Sequence, residues 1–489
     1  MELREVLAGL DNLKAKGNLE LEINKIEKDS RKVKTGDIFV AIKGFEVDGH
    51  EYISDAVKNG AIAVVVDSTA SIKKISVPEN VTLIVAEDTR KALSIMAGNF
   101  YKHPSKRFKL IGITGTKGKT TTTFMIKQIL EKAGNKVGLI GSVAVYIGDK
   151  KLHDSERTTP ESLELQELFV KMVKEKVDYV VMEVSSQSLK LGRVEGLEFD
   201  VAVFTNFSKD HISVKEHEDM DDYFNSKLKI FNMSKTFFVN ADDYHVIKVK
   251  KMFPELNIRT YGIDNPADFL AKDDTVQNSG ADYKIKIGQR NERIKVSIPG
   301  RFSIYNSLAA ICVALKYDVD VEKIKEALLE IKVPGRSELI ANDKGLSIMI
   351  DYAHSPESLE NILSALKSYC RGSVISVFGC GGNRDSSKRP IMGEISGKIA
   401  DYTIITTDNP RDEEPQSIIN QIEEGIKRTN GKYECIADRI QAIKKAIKIA
   451  TKNDIIVLAG KGHEPYQEIK GEKLSFDERE IVTKILKEV

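Results

Sequence analysis

Short apolar runs recur along the chain, and segments with apolar positions three and four residues apart follow many of them. The run 108–113 has the composition of a buried strand, and 122–133 after it carries Phe124, Ile126, Ile129 and Leu130 at helical spacing. Further strands are predicted over 38–42, 61–66, 137–140, 179–184 and 201–205, with a helix over 52–59 ending at Gly60. The central strands alternate with helices, which predicts a parallel sheet. Alternating stretches at 283–287 and 294–298 predict a β-rich excursion before a helix over 303–315. Strands over 347–350, 374–378, 403–406 and 455–458 again alternate with helices. The class is therefore α/β throughout. Proline at His103-Pro104-Ser105 and at Val333-Pro334-Gly335-Arg336 interrupts both periods. Three α/β domains follow: 1–104, 105–333 and 334–489.

Composition changes this picture little. A chain of 489 residues is too long for one core. With 41% apolar and 30% charged residues it reads as an ordinary globular chain. The net charge of +1 provides no field for nucleic acid or a membrane surface. Residues 1–10 have no apolar core of signal type, and no apolar run approaches membrane-spanning length. Cys312, Cys370, Cys380 and Cys435 lack CxxC spacing, which argues against a zinc site or disulfide framework and fits a reducing cytoplasm. A cytoplasmic monomer is expected, with small-molecule partners and neither nucleic-acid nor membrane partners.

The chemistry centres on Gly112-Ile113-Thr114-Gly115-Thr116-Lys117-Gly118-Lys119-Thr120-Thr121. A strand, a glycine-rich turn and a helix start build an anion site from backbone N–H groups and the helix dipole. Lys119 would reach the β- and γ-phosphates of a nucleotide, and the Thr120 hydroxyl would sit on Mg²⁺. The first glycine of GxxxxGK[ST] is replaced by Ile113, so the stretch is an irregular P-loop. An ordinary βα turn leaves Gly118-Lys119-Thr120 unexplained. The central domain is accordingly a P-loop, ATPase-like, parallel-sheet domain, and the last is Rossmann-like. Glu183 ends an apolar strand and can face Mg²⁺; the alternative is a capping or salt-bridged acid. His211, beside Asp210 after the next strand, is a candidate metal ligand, although a lone histidine is more often structural.

In the last domain the stretches Asp351–His354, Gly379–Asp385, Thr407–Arg411 and Gly460–Glu464 follow the strands. Ligands gather at such strand ends. Arg384 and Arg411 suit a carboxylate and Glu464 suits an ammonium, which together describe an amino acid. ATP in the middle, an amino acid at the end and a third ligand on the first domain describe an ATP-driven ligation.

These motifs resemble those of the Mur ligases of bacterial peptidoglycan synthesis over essentially the whole chain. The resemblance rests on Asp29-Ser30-Arg31, Asp48-Gly49-His50, the Gly115-Thr116-Lys117-Gly118-Lys119-Thr120 loop, Thr158-Thr159-Pro160, Glu183-Val184-Ser185-Ser186, Tyr305-Asn306, Gly335-Arg336, Asp351-Tyr352-Ala353-His354, Asp408-Asn409-Pro410-Arg411 and Gly460-Lys461-Gly462-His463-Glu464. It implies addition of an amino acid to the D-glutamyl γ-carboxylate of UDP-N-acetylmuramoyl-L-alanyl-D-glutamate through an acyl phosphate. Gly115, Thr116, Lys117, Gly118, Lys119, Thr120 and Thr121 are implied to hold ATP, with Asn306, Arg336 and Asp351. Ser30, Thr158, Thr159, Ser185 and Arg193 are implied to hold the UDP-sugar-peptide. Mg²⁺ is implied at Thr120, Glu183, His211 and Lys227, the last as a carbamate. Lys119, Glu183, His211 and Lys227 are the implied catalytic set.

The Asp408–Arg411 motif is the form associated in the family with meso-diaminopimelate, bound with Arg384, Gly460 and Glu464. Two buried guanidinium groups left unpaired by lysine would make the discrimination strong. The segment Asp210 to His217 departs from the family pattern, with no second aspartate and two extra residues before His217. The alternatives are a lysine-adding or folylpolyglutamate-type ligase and, in a different class, a P-loop switch or binding module.

Overall fold

Runs such as Ala63-Val64-Val65-Val66, with no polar alternation, form strands only where both faces are covered. All four of these residues are fully buried in the computed structural model, which describes residues 1–69, 77–209, 212 and 216–488. The chain divides into two compact units, Met1–Asp268 with Ala309–Asp320, and Phe269–Leu308 with Val321–Val489.

The first unit contains two sheets. In the amino-terminal one the strand order is Lys14–Lys16, Thr82–Ala86, Ala63–Asp67, Ile38–Val40 and Ile26–Glu27. Only the exposed edge strand Lys14–Lys16 is antiparallel. Alternate residues feed two cores, Val40, Val65 and Ile84 on one face and Phe39, Val64 and Val66 on the other. The helix Thr89–Phe100, capped by Asp88, closes the first face.

In the second sheet Ile258–Gly262, Phe237–Asn240, Val201–Phe204, Lys109–Thr114, Tyr179–Glu183 and Val137–Ile140 run parallel in that spatial order. The predicted parallel sheet is thus present. An antiparallel pair absent from the sequence expectation, Ala144–Ile147 and Lys150–Asp154, extends its edge. The second of these is exposed and lysine-bearing, so no buried pattern marks it. The P-loop strand lies between the strands ending in Phe204 and Glu183. Register sets Glu183 opposite Ile113 and Phe204 opposite Thr114, so the three carboxyl ends are level.

The second unit carries an antiparallel three-stranded sheet, Phe269–Gln277, Gly280–Ile287 and Arg290–Val296. Its larger sheet runs Glu338–Leu339, Ser347–Asp351, Ile455–Ala459, Val374–Phe378, Tyr402–Ile405 and Tyr433–Cys435. The last strand in sequence to join, Ile455–Ala459, is entirely buried and parallel to both neighbours. Helices Pro356–Tyr369, Lys388–Ile399 and Pro415–Ile426 cover one face; Arg439–Ile449 and Glu478–Glu488 cover the other.

One buried ion pair ties this sheet to its loops. Arg439 Nε lies 2.7 Å from Glu478 Oε1, and its other nitrogens donate to Ala459 O at 3.0 Å and Thr407 O at 3.4 Å. Neither side chain is more than 1% exposed. Arg439→Met should strand the Glu478 carboxylate without its counter-charge and cost about 3–5 kcal/mol. A clear fall in the thermal unfolding midpoint is expected; an unchanged midpoint would refute the assignment.

Candidate functional site

The P-loop is shaped by what surrounds it. Gly115 has φ +139, and an added Cβ would run into Thr205 Oγ1, so only glycine fits. Thr116 N donates to Asn206 O and Lys117 N to Asn206 Oδ1, both at 2.9 Å, while Thr205 Oγ1 donates to Lys117 O at 2.6 Å. Tyr223 OH donates to Thr116 Oγ1 at 3.2 Å. Thr120 and Thr121 are buried in the first turn of the helix Lys119–Lys132. Lys119 Nζ donates to Gly115 O at 2.8 Å and Thr116 O at 3.0 Å. Lys227 Nζ, on a side chain 2% exposed, also donates to Gly115 O at 2.8 Å and lies over the Tyr223 ring. Two ammonium groups therefore converge on one carbonyl oxygen at a helix N-terminus, a setting made for an anion.

Glu183 is buried at the adjacent strand end, where Ser142 N donates to Oε1 at 2.8 Å and Ser142 Oγ to Oε2 at 3.0 Å. Thr158 Oγ1 bonds Ser142 Oγ at 3.0 Å. Thr159 Oγ1 donates to Glu183 O at 2.9 Å and accepts from Ser185 N at 3.1 Å. Arg193, buried, donates to Thr159 O at 3.2 Å. The structure thus brings Thr158, Thr159, Ser185 and Arg193 together beside Glu183.

Ser30 is more remote. It starts a turn capped by Asp29, and its carbonyl accepts from Asn59. Its segment reaches the cluster through Lys28, which pairs at 3.1 Å with Glu161, itself 2.9 Å from Arg193. Burial opposes ionisation of Glu161, but Arg193, Lys28 and Arg157 hold its carboxyl below the usual range. Glu161 had no signal of its own beyond its place after Thr158-Thr159-Pro160.

The hard oxygen donors Thr120 and Glu183 suit Mg²⁺. His211 and its neighbours Asp210, Ser213, Val214 and Lys215 lie outside the described residues. Among the described residues no group of three or more His, Cys, Asp or Glu could hold a metal. His217 is buried, bonded to Asp222 Oδ2 at 3.1 Å and Ser186 Oγ at 2.9 Å. An ionised aspartate only accepts, so Nδ1 carries the proton and Nε2 accepts from Ser186. Burial lowers the His217 pKa, which keeps the ring neutral.

In the second unit the strand-end loops form a separate cluster. Asp351 accepts from Ser337 N at 2.7 Å, and burial pushes its carboxyl up against the opposing pull of Arg336. The Arg336 guanidinium lies 4.6 Å over the Tyr352 ring. Asn306 is buried on the helix Arg301–Lys316. Asp408, Asn409 and Pro410 are buried, and Gly460, at φ +114, leaves room where a Cβ would strike Asp408 Oδ2.

Asn409 is engaged at both ends of its amide. Its Oδ1 accepts from Lys461 Nζ at 2.9 Å and Glu468 N at 3.0 Å, and its Nδ2 donates to Glu464 Oε2 at 2.8 Å. Lys461 is fully buried, and burial lowers its pKa. Burial also pushes Glu464 up, with Lys461 opposing.

The arginines correct the expectation that both guanidinium groups are buried. Arg384 is exposed, because its loop turns outward before the helix Lys388–Ile399. The buried arginine there is Arg389, paired through both terminal nitrogens with Glu413 at 2.8 Å and donating to Gly381 O at 3.2 Å. Arg411 is partly buried and pairs with Glu468 at 3.0 Å. Both predicted arginines nonetheless flank Gly381, whose Cβ position is 3.0 Å from an Arg411 nitrogen and 3.8 Å from Arg384 Cγ. Arg389 and Glu468 stand in charged segments that nothing in the sequence separates from solvated ones, whereas Lys461 lies within the Gly460–Glu464 stretch already singled out.

Three family models match the chain. One described as Mur ligase family, catalytic domain, covers 22–101; Mur ligase middle domain covers 113–314; Mur ligase, glutamate ligase domain, covers 335–462. A Clostridium perfringens (strain 13 / Type A) protein named UDP-N-acetylmuramoyl-L-alanyl-D-glutamate–2,6-diaminopimelate ligase is 46% identical over 99% of each chain. The protein of the same name from Caldanaerobacter subterraneus subsp. tengcongensis is 48% identical over 100% of this chain and 99% of its own. A solved structure of a ligase of that name superposes with a TM-score of 0.72 at 28% identity, covering 100% of this chain and 99% of the other.

Proposed function

This chain belongs to the Mur ligase family, and on that premise we propose that it joins meso-diaminopimelate to UDP-N-acetylmuramoyl-L-alanyl-D-glutamate at the cost of ATP, in peptidoglycan precursor synthesis. The D-glutamyl γ-carboxylate takes the γ-phosphoryl group from ATP, and ADP leaves. The incoming amine then forms a C–N bond at the acyl-phosphate carbonyl, the C–O bond breaks, and phosphate and a proton are released. Lys119 and the helix N-terminus balance charge on the transferring phosphoryl group. Thr120 and Glu183, with His211 and a carbamylated Lys227, would hold Mg²⁺, which would supply further charge neutralisation. Asn306, Arg336 and Asp351 belong to the ATP set. Ser30, Thr158, Thr159, Ser185 and Arg193 take the UDP-sugar-peptide. The domains 1–104, 105–333 and 334–489 carry the UDP-sugar-peptide, ATP and amino-acid functions. The four cysteines are free, in keeping with a cytoplasmic setting, and no helix among the described residues is long and apolar enough to cross a membrane.

The observation that carries the choice of amino acid is the pairing of opposite charges in one loop cluster. Asn409 Nδ2 bonds Glu464, and Arg411 lies close enough to favour the Glu464 carboxylate electrostatically. Diaminopimelate has a distal ammonium and a distal carboxylate to answer both, whereas lysine has only the ammonium. Phosphate release from ATP and UDP-N-acetylmuramoyl-L-alanyl-D-glutamate, measured beside meso-diaminopimelate or lysine, should favour diaminopimelate by about 10²-fold or more. Faster release with lysine would overturn the specificity. Release with neither would overturn the ligase reading and favour a nucleotide switch.

A further inference from the structure

The hairpin Tyr466–Ile469 and Glu472–Ser475 pairs only with itself as a sheet, and none of its residues is buried. A two-stranded hairpin without a core is marginal in water, so its order must come from what it touches. It touches the arginine loop repeatedly. Gln467 Nε2 donates to Asp408 O at 2.7 Å, and Glu468 N donates to Asn409 Oδ1 at 3.0 Å. Arg411 N donates to Glu468 O at 3.0 Å, and Lys470 N to Arg411 O at 2.8 Å, which makes a bridge between Arg411 and Ile469. Arg411 stands at φ +52, a left-handed conformation uncommon for a side chain of its size. The hairpin's backbone holds it there.

The side chains continue the pattern. Arg411 Nε donates to Glu468 Oε2 at 3.0 Å, and one terminal nitrogen donates to Gly382 O at 2.8 Å. A guanidinium has five N–H donors in a rigid fork. These two bonds fix its rotation and leave the remaining N–H groups of Nη1 and Nη2 for a carboxylate. An arginine on a flexible stem would otherwise lose rotamer freedom on binding.

We propose that Glu468 is a positioning residue for Arg411. It sets which edge of the guanidinium meets the ligand and so helps select amino acids with a distal carboxylate. This rests on the diaminopimelate reading above. Glu468 does not touch the reacting atoms; it acts through Arg411 alone.

The test is a double-mutant cycle on the full-length enzyme with steady-state kinetics for all three substrates. E468A should raise KM for meso-diaminopimelate about tenfold, with KM for ATP and for the UDP-sugar-peptide unchanged. E468Q, whose amide oxygen still accepts from Nε, should recover part of that loss. In an R411A background E468A should cause no further loss. An unchanged diaminopimelate KM in E468A and E468Q overturns the proposal. So does an equal loss with and without Arg411, or a parallel rise in all three KM values. If R411A alone leaves diaminopimelate use intact, the reading of Arg411 fails and this proposal falls with it. If R411A loses that use while both Glu468 variants keep it, only the positioning role fails.

Discussion

Arg411→Ala should lower kcat/KM for meso-diaminopimelate by about 30- to 300-fold, with KM for ATP unchanged. Removing one partner of a hydrogen-bonded charge pair costs about 2–5 kcal/mol, and 1.4 kcal/mol is tenfold. Arg411 has 22% of its side chain exposed, so screening is partial and the lower half of that range applies. Arg384 is exposed and makes a useful control. Its substitution by alanine should cost tenfold or less, the range of solvent-screened pairs. Steady-state kinetics of both variants check the ranking. Wild-type kinetics in the Arg411 variant would refute its role, and equal losses in the two would refute the importance of burial.

Lys227→Ala should retain ATP binding within about tenfold and lose kcat by about 10³-fold or more. Lys227 and Lys119 donate to the same Gly115 oxygen, and the first is buried. Two cations so close repel, at an energy that grows as the local dielectric falls. An anionic phosphate relieves that repulsion. Carbamylation by CO₂, with loss of the ammonium's charge, would relieve it as well and would turn the amine into a metal-binding carbamate. Lys227→Arg separates these outcomes, because it keeps the charge and cannot be carbamylated. Inactivity of both variants supports the carbamate. Recovery in the arginine variant shows that charge alone suffices, and full activity in the alanine variant removes Lys227 from the mechanism. Calorimetric ATP titration beside turnover assays provides both readouts.

Much of the architecture was legible because burial on both faces writes itself as unbroken apolar runs. The strands Val137–Ile140 and Val374–Phe378 have the boundaries their apolar runs predict, and the others shift by one to a few residues. The antiparallel strand Lys150–Asp154 was not legible, since an exposed edge strand has no apolar signature. The P-loop was legible despite Ile113, because glycine and lysine at a helix start have few other uses.

Site residues divide along the same physical line. Glu183 and Asp351 end strands, Lys119 and the Asp408–Arg411 stretch lie a few residues beyond strand ends, and a strand end is a position that sequence can indicate. Arg389, Lys461 and Glu468 act through partners 24, 52 and 57 residues away. The stretch that bears Lys461 was legible as a strand end, but its bond to Asn409 was not.

The sequence by itself determined the α/β class, the anion-binding loop and the residue types at the strand ends. Spatial order was decided only by tertiary structure. Ile455–Ala459 inserts between Ser347–Asp351 and Val374–Phe378, which carries Gly460 to Glu464 to the loops bearing Asp408 and Asn409. The P-loop strand likewise takes its place between the ends at Phe204 and Glu183. Hydrogen-bond register between strands depends on which edges meet, and the apolar period along a single strand contains no record of its neighbour. The same holds for the guanidinium groups: the chain names Arg384 and Arg411, but only packing decides that one faces solvent and the other is held by Glu468.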